Sequence, residues 1–273
     1  MCIRDRILPY HKKIKENPKF VTETVAQFSV QLGWRRQYTG LMKLQNRNDG
    51  VTVYFIDNEY YFKRNTLYGH YDDGERFAFF SRAVLEILPY IDFKPDIIHC
   101  NDWQSALVPI YYTAIYGKKE GYTGIKTVFT IHNIQYQGKY GNEILGDLFG
   151  LGEECAPLLQ FGDCLNLMKG GIEAADKVTT VSPSYAMEIC DPWYAFGLDS
   201  ILRARGWKLT GILNGIDTVS YDPATDGVIA QNYSVEDMSG KAVCALRREC
   251  EGETPVLLLI NTSEEKQTVT LAR

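Results

Sequence analysis

Four short apolar runs each hand over to polar residues that could do chemistry. IIHC (97–100) leads to Asn101, Asp102 and Trp103, and TVFTI (127–131) leads to His132 and Asn133. VTTV (178–181) leads to Ser182, and GIL (211–213) leads to Asn214. Polar side chains so placed would share one rim, where an open parallel sheet binds its ligands beyond the carboxyl ends of its strands. A plainer reading stands beside this one. Asp102, Ser182 and Asn214 are also good helix or turn caps, and a lone histidine after a strand is more often a packing residue. The recurrence of polar strand ends in one chain is what favours a site.

Other chemistries lack their patterns. His99, Cys100, Asp102 and His132 come from two runs without the spacing of metal ligands, so no metal is expected. There is no G-x-S-x-G elbow for a serine hydrolase. No G-x-G-x-x-G or P-loop follows a strand, so no dinucleotide or ATP phosphate cradle is expected either. Lys169-Gly170-Gly171 lies inside a helical stretch, where small residues permit close packing.

The elements that must hold these residues are legible in outline. VTVYFI (51–56), 97–100, 126–131, 177–181 and 209–213 read as strands. Asp72-Asp73-Gly74-Glu75 supplies start signals for a helix from Arg76 to Leu88, ended by Pro89. QSALVPIYYTAIYG reads as a helix that Pro109 kinks or shifts. Further helices are expected over Pro157–Ala175, Pro183–Ile189 and Leu198–Ala204. Strands alternating with helices indicate βαβ units. The strands are continuous apolar runs, as suits a parallel sheet covered on both faces. The expected fold class is α/β, Rossmann-like, and ligands of such sheets bind beyond the carboxyl ends of the strands.

The chain has 273 residues, 45% of them hydrophobic, and a net charge of −5 without long charge runs. That supports a substantial core and gives no footprint for nucleic acid or a polybasic membrane contact. No run approaches the length of a membrane span, and the first residues carry no secretory apolar region, so the default compartment is the cytoplasm. The seven cysteines follow no C-x-x-C pattern and read as reduced thiols. Tyr68, Trp103, Tyr136 and Tyr140 fall near the proposed rim loops, where aromatic faces suit a sugar; ordinary packing must claim most of the other aromatics.

The segments KPDIIHCNDWQSALVPIYY, TVFTIHNIQYQGKYG, NLMKGGIEAADKVTTVSPSYAMEI, LTGILNGIDTVSYDPATD and RNTLYGHYDDGERFAFFSRAVLEILP together resemble the bacterial glycogen synthase and plant starch synthase family. The resemblance implies the amino-terminal half of a GT-B glycosyltransferase, covering residues 7–241. It implies glucose transfer from an ADP-glucose donor to the non-reducing end of an α-1,4-glucan acceptor, with retention and without cofactor or metal. Carried onto this chain, His132 touches the donor glucose and Asp102 stands at the acceptor side as the second catalytic residue. Asn133, Trp103, Tyr68, Tyr136, Gln137 and Asn214 line the cleft as substrate-binding residues. His132 is expected to orient the sugar rather than to act as a general base. The departures matter. The family's first strand and Lys-x-Gly-Gly donor loop are missing before Ile7, and so is the carboxyl-terminal donor domain. Residues 1–6 read as a non-native leader. Residues 242–273 read as an unrelated tail in which PVLLLIN and QTVTLA form a β-hairpin. The fragment is therefore expected to be nearly inactive alone, with a catalytically silent glucan-binding module as the alternative.

Overall fold

The computed structural model describes residues 4–45, 50–229, 231–237, 242–263 and 265–268. The chain divides into two compact units, Met1–Leu213 and Asn214–Arg273.

The first unit contains two four-stranded sheets. One has the order β1-β4-β3-β2, built from Asp5–Pro9 (β1), Thr22–Leu32 (β2), Arg35–Leu44 (β3) and Thr52–Asp57 (β4). Here β1 runs parallel to β4, while β2–β3 and β3–β4 are antiparallel. Asp5 and Arg6, placed in a leader by the sequence, are paired with Thr52 and Val53 as part of β1. The long β2–β3 hairpin has no counterpart in the sequence reading. Its strands mix Lys, Arg, Gln and Glu with apolar residues, so no continuous apolar run marks them. Leu32 pairs with Arg35 across a two-residue turn. Its first residue, Gly33, has φ +56, and a Cβ there would lie 2.0 Å from the Asp147 carbonyl oxygen, so only glycine fits.

The second sheet is the expected parallel one. Its order is β11-β10-β6-β5, from Ile97–Asn101 (β5), Lys126–Ile131 (β6), Lys177–Thr180 (β10) and Leu209–Gly211 (β11). All its pairings are parallel. Phe129 and Ile131 on β6 and Val178 on β10 are buried in the main core. The helix Asp73–Glu86 packs Phe77, Phe80, Val84 and Leu85 into the same core. Pro109 falls in the first turn of the helix Leu107–Tyr111, where its missing N–H costs nothing, so the helix starts later than its pattern suggests.

The expected helix over Pro157–Ala175 is broken. A short helix Ala156–Leu159 gives way to two short strands, Gln160–Phe161 (β8) and Cys164–Asn166 (β9). These form a small sheet with Lys139–Tyr140 (β7) in the order β7-β9-β8. The helix proper runs over Leu167–Ala174, with the Asn166 side chain accepting the Lys169 N–H as its cap. Gly162 at φ +62 makes the turn that interrupts the helical pattern. Within this helix a Cβ at Gly170 would meet Ile110 Cδ1 at 2.6 Å, and one at Gly171 would meet Phe129 Cζ at 2.8 Å, so both glycines permit close packing.

The second unit carries an antiparallel sheet, β12-β13-β14, from Ser234–Asp237 (β12), Val243–Glu249 (β13) and Val256–Asn261 (β14). PVLLLIN is thus a strand, but its partner is the upstream Val243–Glu249; residues 269–272 of the expected second strand lie outside the described residues. Pairing of β12 with β13 runs across the sequence boundary at 241, because backbone pairing need not stop where a motif does.

His11 gives this fold a pH dependence. Burial, with the Arg76 charge as a second cause, lowers its pKa from 6.5 to about 4. Its Nδ1 is buried without a partner. The folded state thus holds His11 neutral, and the associated stability is fully present above pH 6.5. It is lost as the pH falls from 6.5 towards 4, by on the order of 2 kcal/mol after allowing for partial solvent screening. Thermal melts across that window should fall less steeply for His11→Gln than for the parent; parallel curves would disprove this origin.

Candidate functional site

The polar residues at the ends of β5 and β6 come together. Asp102, following β5, takes φ 54 and ψ −179, a region that is almost wholly glycine's. Two bonds hold it there. Its N–H donates to the Thr130 carbonyl at 2.9 Å, and its Oδ1 accepts the His132 N–H at 2.8 Å. The strained backbone therefore ties the tip of β5 to the tip of β6. Asn101 makes the second tie, with its Oδ1 3.0 Å from His132 Nε2. An amide oxygen only accepts, so Nε2 donates, and in the neutral form of this exposed ring Nδ1 is the acceptor. Behind them, His99 Nε2 and Thr130 Oγ1 share a 2.5 Å bond, and Thr130 Oγ1 continues to Thr179 Oγ1 at 2.6 Å. Burial first, then the nearby His132, lowers the His99 pKa, which keeps this inner ring neutral.

A cleft of about 430 Å³ opens beside these ties. Tyr68, Asp102, Trp103, Asn133 and Tyr136 line it, together with Gly69, Asp73 and Gln104. Tyr68 and Tyr136 are 64% and 61% exposed, so both rings are available to a ligand. Trp103 is only 9% exposed. Its ring stands edge-on to Phe77 at 5.3 Å, and the loop backbone at Gly138 crosses its other side. It walls the cleft more than it offers a stacking face. Asn133 Oδ1 accepts the Gln135 N–H at 3.0 Å, shaping the loop.

Three predicted residues are placed differently. His132 is exposed at the tip of β6 but is not among the residues that line this cleft. Gln137 is buried with its amide fully engaged: Nε2 donates to the carbonyls of Ile134 and Phe196, and Oε1 accepts from Asn166 Nδ2 at 2.7 Å. It braces the loop and does not line the cleft. Asn214 opens the second unit and is exposed there. Ser182 caps the helix Pro183–Glu188, accepting the Tyr185 N–H at 2.9 Å.

Sequence reasoning missed Asp73, Gly69 and Gln104. Asp73 read only as a helix start. Its Oδ2 accepts the Gly69 N–H at 2.7 Å and its Oδ1 pairs with Arg76 at 2.9 Å. That clamp fixes the Tyr68-Gly69 turn at the cleft. The only sequence signal was the proximity of an acidic pair to the YG dipeptide.

Asp102 yields a prediction. Asp102→Ala keeps the strained backbone and loses the carboxylate bond, and should destabilise by about 2–3 kcal/mol. Asp102→Gly loses the same bond but relieves the strain, so it should melt within about 1 kcal/mol of the parent. Equal destabilisation by both in chemical denaturation would refute the strain at this position.

Among the described residues no group of three or more His, Cys, Asp or Glu could hold a metal, and no helix is long and apolar enough to cross a membrane.

Polar and aromatic groups gathered at the tips of a parallel sheet define an α/β protein with a candidate ligand cleft, and comparisons with known proteins narrow its class. A family model described as the starch synthase catalytic domain matches residues 5–204. The chain belongs to this family. It is 42% identical to the glycogen synthase of Anoxybacillus flavithermus, covering 98% of this chain and 56% of that protein. It is 49% identical to the glycogen synthase of Geobacillus thermodenitrificans, covering 86% and 48%. Among solved structures, the catalytic domain of starch synthase IV from Arabidopsis thaliana, bound to ADP and acarbose, superposes with a TM-score of 0.69 at 30% identity, covering 83% of this chain and 54% of that one. The chain spans about half the length of the curated relatives it matches.

Proposed function

We propose that this chain is the acceptor-side half of a glucan synthase. In the complete enzyme, glucose passes from ADP-glucose to the non-reducing end of an α-1,4-glucan with retention. The observation that carries this reading is the cleft where Tyr68, Asp102, Trp103, Asn133 and Tyr136 meet. Their roles follow from their atoms. The exposed rings of Tyr68 and Tyr136 cover sugar faces, and Asp102 and Asn133 receive and donate hydroxyl hydrogen bonds. His132, fixed through Asn101 and Asp102, presents an acceptor at Nδ1 that orients the transferred glucose and answers charge growing at its anomeric carbon. No resident cofactor is invoked.

Alone, the chain binds glucan and transfers little. Stabilising a leaving nucleoside diphosphate calls for a cationic clamp, and each missing preorganised group costs roughly 3–4 kcal/mol in the transition state. The experiment is calorimetric titration with maltoheptaose alongside incorporation of labelled glucose from ADP-glucose into glycogen. Saturable binding, weakened at least about tenfold by Tyr68→Ala or Tyr136→Ala, supports the reading. Binding indifferent to both substitutions removes the cleft from it. Transfer at the rate of an intact synthase shows that the chain is more than half a site. Binding without any transfer, even with a relative's missing half supplied, favours a silent glucan-binding module.

A further inference from the structure

Between β10 and β11 the chain makes a turn over residues 191–198, DPWYAFGL. Its apolar side chains are sorted by kind. The aliphatic ones, Ala195 and Leu198, are fully buried, while Trp193, Tyr194 and Phe196 are 85%, 52% and 53% exposed. Single exposed apolar residues are ordinary, but three rings within four residues make a patch. The turn is also firmly built. The Asp191 carbonyl accepts the N–H groups of Tyr194 and Ala195 at 3.1 and 3.0 Å, and its Oδ1 accepts the Trp193 N–H at 2.8 Å. The rings are therefore presented on a fixed backbone.

Phe196 is held there against its own preference. With φ 49, it joins Asp102 as the second non-glycine residue in the left-handed region among the described residues. Both residues are tied to the loop that follows β6. Asp102 takes the His132 N–H, and the Phe196 carbonyl accepts Gln137 Nε2 at 3.3 Å. The same Nε2 donates to the Ile134 carbonyl at 3.1 Å, so one buried amide clasps the turn and the loop together. Gln137 directly follows Tyr136, whose exposed ring lines the sugar cleft. Gly197, at φ +88, seats the end of the turn on Phe161, whose Cζ would lie 3.1 Å from a Cβ there. The exposed rings of the turn thus adjoin the Tyr136 side of the cleft. A glycine at position 196 would relax the backbone and present no ring.

The cleft, at about 430 Å³, has room for a small ligand only. A glucan is a polymer, so its body must leave the cleft across the neighbouring surface. Each pyranose offers a face of C–H groups that stacks on an aromatic ring, and rings fixed beforehand lose little entropy on binding. A protein partner matches the turn less well, because it would gain as much from the aliphatic groups that the turn hides. Resting on the glucan reading of the cleft, we propose that Trp193, Tyr194 and Phe196 form a platform that holds the body of the α-1,4-glucan beyond Tyr136. The platform makes the chain prefer long glucans to short ones. The strained backbone at Phe196 is kept because it turns a ring toward the saccharide.

The test is calorimetric titration of the full chain with maltotriose and with maltodecaose. Maltodecaose should bind at least about tenfold more tightly. Trp193→Ala and Phe196→Gly should each cut that ratio to about threefold or less and leave maltotriose affinity unchanged. Phe196→Gly should also keep the parent's thermal midpoint, because it relieves the left-handed backbone, whereas a ring needed only for packing would take stability with it. Tyr136→Ala should weaken both saccharides. If Tyr136→Ala does so and both turn variants keep the parent's ratio, the platform is overturned and the cleft stands. If the turn variants act and Tyr136→Ala does not, the cleft reading fails, and with it the continuous path. A dimer of the chain that Trp193→Ala dissociates would make a second copy the occupant and also overturn the platform.

Discussion

Asp73→Ala is expected to lower the thermal midpoint of this protein by about 10 °C. Arg76 is completely buried, and Asp73 is its ion-pair partner at 2.9 Å. The guanidinium lies 4.9 Å over the Phe77 ring and 5.7 Å over that of Phe62. Its Nε and Nη2 have no hydrogen-bond partner. Burial pulls the Arg76 pKa below the ordinary arginine value, but arginine stays charged at any ordinary pH. Removing the carboxylate leaves a buried charge answered only by ring faces and by the more remote Asp72 carboxylate. Breaking a buried pair in this way costs about 3–5 kcal/mol, and for a unit of this size each kcal/mol shifts the midpoint by roughly 2–4 °C. The sugar cleft should suffer too, because the Gly69 N–H loses its acceptor and Tyr68 its fixed base. Replacing both partners tests the cause. Asp73→Ala combined with Arg76→Met should be more stable than Asp73→Ala alone, since no unpaired charge remains. A double variant less stable than the single would mean that packing, not charge, dominates.

Gly138→Ala should cost about 3 kcal/mol and abolish measurable glucan binding. Two independent terms add. Gly138 has φ +64, which burdens a side chain by about 1–2 kcal/mol. Its new Cβ would stand 2.6 Å from Trp103 Cε3 and 2.9 Å from Cδ2. That ring has Phe77 at its edge and Tyr140 at 6.2 Å, so it cannot swing aside without disturbing the core, and overpacking of this kind typically costs about 1–3 kcal/mol. The Gly138 carbonyl also accepts the Leu167 N–H, so a displaced loop loses its anchor on the following helix. Denaturant unfolding gives the stability, near-UV circular dichroism the ring environment, and maltoheptaose titration the function. An unchanged near-UV spectrum together with unchanged binding would rule out the close approach.

Some of this was readable from residue order alone. β5, β6 and β10 are short apolar runs, and strands covered on both faces must look so. Their polar followers could be placed on one rim because the carboxyl ends of parallel strands share an edge. Asp102, Trp103 and Asn133 follow such strands and share one cleft, while Tyr68 and Tyr136, which line it with them, were named as cleft residues only through family likeness. The β2–β3 hairpin stayed hidden because its charged and apolar residues resemble surface loop. Gln137 was misread in kind. A glutamine in a loop looks solvent-directed, and nothing local shows that Asn166, on β9, will reach its Oε1. Arg76 was invisible for the same reason: its burial depends on Phe62 and Phe77 closing over it, and a helical arginine ordinarily points outward. Family likeness supplied Gln137 by name, but its partners came only with three-dimensional contact.

The backbone at Asp102 also makes this site detectable by genetics, with no sugar in hand. A single base change turns either aspartate codon into a glycine codon, so mutational supply offers the relaxed residue constantly. A library of this chain sorted only for folded, soluble product should retain glycine at position 102 while it loses other substitutions there. The same library sorted for glucan retention should purge it. Most buried positions obey both sorts alike, because what unfolds the chain also silences it. A position where the two sorts disagree reports a residue held against its own conformational preference, and the disagreement can be counted in sequencing reads.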